Sequence, residues 1–314
     1  MTTTAVAVTG ATGFVGGHIV RHLSAQGFAV RALTRRAGAA PKAAGVTPVM
    51  GALDDPASLD ELVAGADAII HCAGLIRGSS AADFEAVNVA GTARVAEAAA
   101  RAARAPRLVL ISSLAARAPA LSHYATSKHR AEAELSHRGD ALRWAVLRPP
   151  AVYGPGDRAT LALFRQLRRG FAPVPRTPEA KLSMIYVEDL AAAAVTATDD
   201  AVPSGSIFEV HDGAAAGYSW RLISDHAARI LEADVRRLRI PRTVMQAAAV
   251  ANTAHGLVTG KAPMITLGKV RELYHTDWFC PDNPLTRYSD WRPTVLLEDG
   301  FRRTLDWYRN AGWL

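Results

Sequence analysis

The stretch Thr9-Gly10-Ala11-Thr12-Gly13-Phe14-Val15-Gly16 constrains this chain more than any other. It follows the apolar run Ala5 to Val8, which reads as a strand, and leads into Gly13 to Ala25, which reads as a helix. Glycines three residues apart at such a junction have separate physical tasks. Gly10 allows a tight turn, Gly13 lets backbone approach a pyrophosphate, and Gly16 lets the helix pack closely on the sheet. The helix start adds unpaired N–H groups and partial positive charge, so the turn suits a phosphate. Gly10, Thr12, Gly13, Phe14, Val15 and Gly16 are therefore assigned to dinucleotide binding.

The next residues repeat the strand–helix rhythm. Strands are expected at Ala29 to Leu33, Val46 to Met50, Ala68 to His71, Leu108 to Ile111 and Trp144 to Leu147. Helices are expected at Asp55 to Ala64, Phe84 to Ala103 and Tyr124 to Ser136. This alternation predicts an α/β fold, a doubly wound parallel sheet of the Rossmann type. After Pro149 the rhythm breaks, with Pro150, Gly154, Pro155, Gly156, Pro173, Pro175 and Pro178 as punctuation. The expected division is a dinucleotide-binding domain over 1–170 and a smaller, mixed substrate-binding region over 171–314. Parts of 183–212 complete the sheet, with a helix at Ala191 to Thr198 and a strand at Ile207 to Val210. Further helices are expected at Trp220 to Leu231 and Thr243 to Leu257. Trp307-Tyr308 and Trp313-Leu314 are too apolar for a loose end and are expected to pack back.

The residues after the second strand select the cofactor. An acid there would take the ribose 2′-hydroxyl of NAD, and an arginine accommodates the 2′-phosphate of NADP. This chain reads Leu33-Thr34-Arg35-Arg36. A guanidinium can grip a phosphate through two parallel hydrogen bonds. NADP(H) is the expected cofactor, with NAD(H) as the alternative. A formal net charge of +7 suits an anionic ligand. The basic residues read as scattered, with no compact block interleaved with aromatics, so no nucleic-acid partner is expected.

Tyr124-Ala125-Thr126-Ser127-Lys128 puts a phenol and an ammonium four residues apart, on one helix face. A phenol titrates near 10, and a close cation is expected to lower that value so that Tyr124 can trade a proton with an alcohol or carbonyl. Lys128 could also hold ribose hydroxyls. Ser112 and Ser113 end the fifth strand, where a hydroxyl can orient a substrate oxygen.

These residues resemble the extended short-chain dehydrogenases/reductases of the NAD-dependent epimerase/dehydratase type. The resemblance covers nearly the whole chain. It includes H-C-A-G at His71 to Gly74, N-V-A-G-T at Asn88 to Thr92, I-S-S at Ile111 to Ser113, and Y-A-T-S-K. It also includes R-P-P-A-V-Y-G-P-G-D at Arg148 to Asp157, I-Y-V-E-D-L at Ile185 to Leu190, and the closing D-W-Y-R. The resemblance implies Ser113, Tyr124, Lys128 and Asn88 as the catalytic group. It adds Leu53, Cys72, Ala73, Gly74 and Pro150 to the cofactor contacts, beside Arg35, Arg36, Tyr124 and Lys128. A homodimer built from helices and a small-molecule substrate are implied as well. Three departures stand out: only Leu114 to His123 separate Ser113 from Tyr124, Ala52 replaces the family's aspartate near the adenine, and Leu114-Ala115 replaces the Asp-Glu pair of the sugar dehydratases. Elimination of water needs an acid and a base at the neighbouring carbon, so dehydration is not expected. Hydride transfer between NADP(H) and a secondary alcohol or carbonyl is the leading expectation. The alternatives are a nucleotide-sugar epimerase with tightly held NAD(P) and a non-catalytic dinucleotide sensor or assembly subunit. The region from Ile240 to Leu267 resembles the reductase and hydroxysteroid dehydrogenase branches.

The remaining signals point to ordinary structure. Cys72, in an apolar run, and the distant Cys280 suggest neither a disulfide nor a metal, which fits a reducing cytoplasm. No stretch reaches the length of a membrane span, and the start lacks a signal peptide's basic region, so no membrane partner is expected. His18 and His22, one turn apart, read as a solvated face rather than a metal site. His123 is a weak substrate-contact candidate. Arg236-Arg237-Leu238-Arg239 reads as a charged strand, and Ala247 to Ala251 as a packed helix.

Overall fold

The computed structural model describes residues 4–177, 179–259, 263 and 265–314, so Pro178 and parts of the 240–267 stretch lie outside the described residues. The first half runs β1 (Ala5–Thr9), α1 (Phe14–Ala25), β2 (Ala29–Thr34), β3 (Val46–Met50), α2 (Pro56–Val63), β4 (Ala68–His71), α3 (Ala81–Phe84), α4 (Ala90–Arg101), β5 (Arg107–Ile111), α5 (His123–Ser136) and β6 (Trp144–Arg148). The chain continues through β7 (Ala151–Tyr153), α6 (Arg158–Arg168), β8 (Phe171–Pro175), β9 (Lys181–Leu182), β10 (Met184–Tyr186), α7 (Val187–Thr196), β11 (Ser206–Glu209) and α8 (Trp220–Ile230). It ends with β12 (Arg236–Ile240), α9 (Arg242–Thr259), α10 (Leu267–Leu273), β13 (Asp277–Trp278) and α11 (Leu297–Asn310).

Seven parallel strands form the central sheet in the order β11-β6-β5-β4-β1-β2-β3. β4 and β5 are buried along their whole length, as parallel strands covered on both faces require. On one face Ile19, Val20 and Leu23 of α1 pack with Leu190, Ala193 and Ala194 of α7. On the other, Leu59 and Leu62 of α2 meet Val95 and Ala99 of α4 and Leu135 of α5. The fold is the α/β, doubly wound parallel sheet. Strand order reverses between β1 and β4, so the crevice opens at the carboxyl ends of those two strands.

Two elements differ from expectation. The helix expected over Phe84 to Ala103 is α3, a π-helical turn at Glu85–Val89, and α4. α7 begins at Val187, four residues early, because Glu188 and Asp189 suit the positive helix start. The C-terminal region has an aromatic core around Tyr153, Phe164, Phe301 and Tyr308, beside three short parallel pairs, β7 with β10, β8 with β12 and β9 with β13. Trp313 stacks on Tyr308, with centroids 5.9 Å apart.

Candidate active site

The glycine turn lies at the carboxyl end of β1. Gly10 has φ +71°, and a Cβ there would fall 2.6 Å from Ala73 N. A Cβ on Gly16 would sit 2.1 Å from Gly10 O, so α1 approaches the turn too closely for any side chain. Gly13 caps α1 with no side-chain hydrogen bond, which leaves the first-turn N–H groups of Phe14 and Val15 for an external acceptor. Thr12 is exposed at the rim, and the Cys72 thiol lies beside the Gly16 N–H, pushed up to about 11 by burial. These features fit a bound pyrophosphate. At the end of β2 the Thr34 hydroxyl donates to Arg36 O (3.0 Å) and accepts from Arg36 N (3.3 Å), which fixes a turn with Arg35 and Arg36 exposed. Leu53 packs against Gly91 at the start of α4.

Below the turn runs a buried polar chain that the sequence reading missed. Ala73 N–H donates to Thr9 Oγ1, whose hydroxyl donates to His71 Nδ1 (2.6 Å). His71 Nε2–H donates to Thr92 Oγ1 (3.1 Å), and that hydroxyl donates to Asn88 O (2.6 Å). Every donor in this chain is used if His71 is neutral. Burial, helped by the Lys128 charge, lowers its pKa to about 3.

The chain ends in the π-helical turn that presents Asn88. Its Oδ1 accepts from Leu75 N–H (2.6 Å), and its Nδ2 donates to Leu75 O (3.0 Å) and Ser127 Oγ (2.9 Å). Ser127 in turn donates to Tyr124 O (2.8 Å), so Asn88 fixes the β4 exit against the first turns of α5. Ser122 caps α5 by accepting from Ala125 N–H. Tyr124 and Lys128 follow on one face. Lys128 is buried, its ammonium donates to Ile111 O (2.9 Å), and a Cβ on Gly74 would lie 3.3 Å from Nζ.

Ser112 and Ser113 have different fates. Ser112 is buried and donates to Glu132, which pairs with Arg148 through both oxygens. Ser113 lies beside the Tyr124 phenol, accepting from Ala115 N–H and leaving its own O–H to donate. The expected lowering of the Tyr124 pKa is not found. Burial pushes it up to about 12 against the opposing Ser113 hydrogen bond, with Glu272 and Cys72 adding to the rise. The Lys128 ammonium is turned onto Ile111 O, and its own pKa is lowered by burial.

Pro150 follows β6 and is half-buried, and the preceding Pro149 O accepts from Leu114 N–H (2.8 Å) beside Ser113. His123 is exposed at the start of α5. His18 is not solvated: it is buried, donates to Pro155 O (2.9 Å), and has its pKa lowered to about 4 by burial. The C-terminal region reaches the site through α10, where Glu272 accepts from the Ser122 hydroxyl and pairs with Lys269 (2.9 Å). Nothing in the sequence signals that contact, because its partners are 150 residues apart.

A glycine cradle at a sheet reversal, with a serine just past β5 and a tyrosine and a lysine on α5, defines a dinucleotide-dependent oxidoreductase. Residues 6–210 match the NAD dependent epimerase/dehydratase family, and the chain belongs to it. A ceramide reductase from Caulobacter vibrioides is 41% identical, over 98% of this chain and 96% of its own. A 2-alkyl-3-oxoalkanoate reductase from Stenotrophomonas maltophilia is 26% identical, over 95% of this chain and 97% of its own. The structure of MoeE5 in complex with UDP-glucuronic acid and NAD superposes with a TM-score of 0.75 at 20% identity, over 98% of this chain and 99% of that chain, a likeness of fold.

Proposed function

We propose that the protein is an NADPH-dependent reductase of a ketone carried by a long-chain, lipid-type substrate. The observation that carries this reading is the Tyr124 phenol, kept protonated by burial, beside the Ser113 hydroxyl that hydrogen-bonds it. Both groups act as donors toward one substrate oxygen. Ser113 orients the carbonyl oxygen, and Tyr124 Oη delivers the proton that turns the developing alkoxide into the alcohol. Bound NADPH would supply the hydride. Among the described residues the Lys128 ammonium has one protein acceptor, so its other N–H groups are available to ribose hydroxyls and to the phenolate left after proton transfer. The Gly10 to Gly16 turn would hold the pyrophosphate, and Arg35 and Arg36 the 2′-phosphate. The lipid-type substrate is supported by the ceramide and 2-alkyl-3-oxoalkanoate reductases, which match nearly the full chain.

The test is to incubate the purified enzyme with NADPH and a long-chain 3-oxo amide in mixed micelles. One alcohol should form per NADPH consumed. Protein that retains a bound dinucleotide through purification and interconverts a sugar nucleotide without net cofactor turnover would replace this reading with the epimerase one.

A further inference from the structure

Residues 235–271 hold four arginines between positions 236 and 242, then Lys261, Lys269 and Arg271, and not one carboxylate. Residues 1–53 and 158–178 each hold five basic residues and no carboxylate as well, so 235–271 is one of three acid-free basic stretches and carries the most charge of the three.

That segment also carries four exposed large apolar side chains, Leu238, Val244, Val250 and Leu267. α9 has no charged residue after Arg242. Its inner side, with Met245 and Ala249, packs on Val270 and Leu273 of α10 and on Tyr274 just after it. Its outer side exposes Val244, Ala247, Ala248, Ala251 and Ala254, spaced three or four apart as one helical stripe, with Val250 beside them. Val244 and Val250 are each 56% exposed. The preceding β12 adds exposed Leu238, and its neighbour β8 adds exposed Phe171. Arg236, Arg239 and Arg242 make no ion pair among the described residues, whereas Arg237 pairs with Asp225. α9 is not long and apolar enough to cross a membrane.

We infer that β12 and α9 form a docking surface for an anionic lipid bilayer, with the apolar stripe entering the interface and the arginines on lipid phosphates. An apolar helix face flanked by arginines, with no carboxylate to repel the headgroups, complements such a surface. The expectation of no membrane partner rested on the lack of a spanning segment, which a helix lying in the interface does not need. Through α10, which bonds Ser122 next to Tyr124, the docked surface adjoins the candidate active site.

The test is flotation of the full-length protein with vesicles of phosphatidylcholine alone, or of phosphatidylcholine with about one third phosphatidylglycerol. The protein should float with the anionic vesicles only, and less as salt rises. Each arginine near an anionic surface contributes on the order of a fivefold gain, so Arg239→Gln with Arg242→Gln should weaken partitioning at least tenfold. Val244→Asp with Val250→Asp should remove it while the thermal midpoint stays at the wild-type value, since both side chains face water. Wild-type protein that stays down with anionic vesicles would overturn the inference. So would equal binding to both vesicles, unmoved by the arginine changes. A lipid-free dimer that the valine variant converts to monomer would show that a second copy covers this face instead. Turnover is not part of the readout, so failure here leaves the proposed reaction standing, and failure of that reaction leaves this inference standing.

Discussion

At Tyr124 burial and the Ser113 hydrogen bond oppose one another, and burial prevails. Burial destabilises the phenolate, Ser113 stabilises it, and the sum puts the phenol near 12. In reduction the proton donor must be protonated, so kcat/KM for the ketone should stay level up to about pH 10. Alcohol oxidation needs the phenolate and should rise with pH over the same span. A falling limb for reduction near neutral pH would show a different acid. Tyr124→Phe should lower turnover about 10²–10⁴-fold with the fold intact, measured as alcohol formed per enzyme. Arg35 and Arg36 are the proposed basis of a second choice. An exposed, charge-assisted contact to a 2′-phosphate is worth on the order of 1.5–3 kcal/mol, roughly a 10- to 150-fold preference for NADPH over NADH. Replacing both by Ala should erase most of that preference and leave NADH binding nearly unchanged. Titration of both cofactors at low and high salt checks this, because screening should shrink the difference. Equal loss of both cofactors would remove the arginines from phosphate binding.

At the scale of elements, α5 joins the candidate active site to the sheet through Glu132, one turn beyond Lys128. The buried Glu132 carboxylate ties Ser112 on the β5 exit to Arg148 at the end of β6. Removing one partner of a buried pair leaves the other charge desolvated. Glu132→Ala should therefore cost about 3 kcal/mol, the lower end for buried pairs because Arg148 keeps some contact with water. Joint replacement of Glu132 and Arg148 by Met should recover much of the loss. Urea unfolding of the three proteins decides it, and a single-variant loss under about 1 kcal/mol would mean the pair is not structural. This network also marks where the sequence stops being readable. The turn before α1 and the Tyr124–Lys128 face are local, set by spacing along a few residues, and both were legible. The π-helical turn around Asn88 was not, because it differs from an α-helix in hydrogen-bond register rather than in residue type. The Glu132–Arg148 and Glu272–Ser122 contacts join residues that only the tertiary fold brings together. The direction of the Tyr124 shift was misread for the same reason. Helical spacing placed Lys128 on the right face, but only the packed site turns its ammonium onto Ile111 O.

For the molecule as a whole, the question is whether residues 1–170 can stand alone. β11 forms the last strand of the sheet beside β6, and α7 covers α1. Ile185, Leu190, Ala194, Phe208, Leu285 and Trp291 are buried in the same core as Val8, Ile19 and Val109, and the Trp291 indole donates to Asp189 O. A cut after 170 removes all of these and exposes one face of α1 together with the unpaired edge of β6. Each large apolar side chain stripped from a core costs about 1.5–3 kcal/mol, so losing these groups forfeits on the order of 10 kcal/mol. That equals the whole stability of an ordinary domain, about 5–15 kcal/mol. A 1–170 fragment should therefore lack a cooperative thermal transition and bind a hydrophobic dye, and it should aggregate through the open β6 edge. The full chain should unfold in one transition that NADPH raises, since a ligand bound to the native state stabilises it by mass action. Calorimetry of the two proteins separates the outcomes. A fragment that melts cooperatively would establish 1–170 as an independent unit, with β11 and α7 docking onto a finished domain instead of completing it.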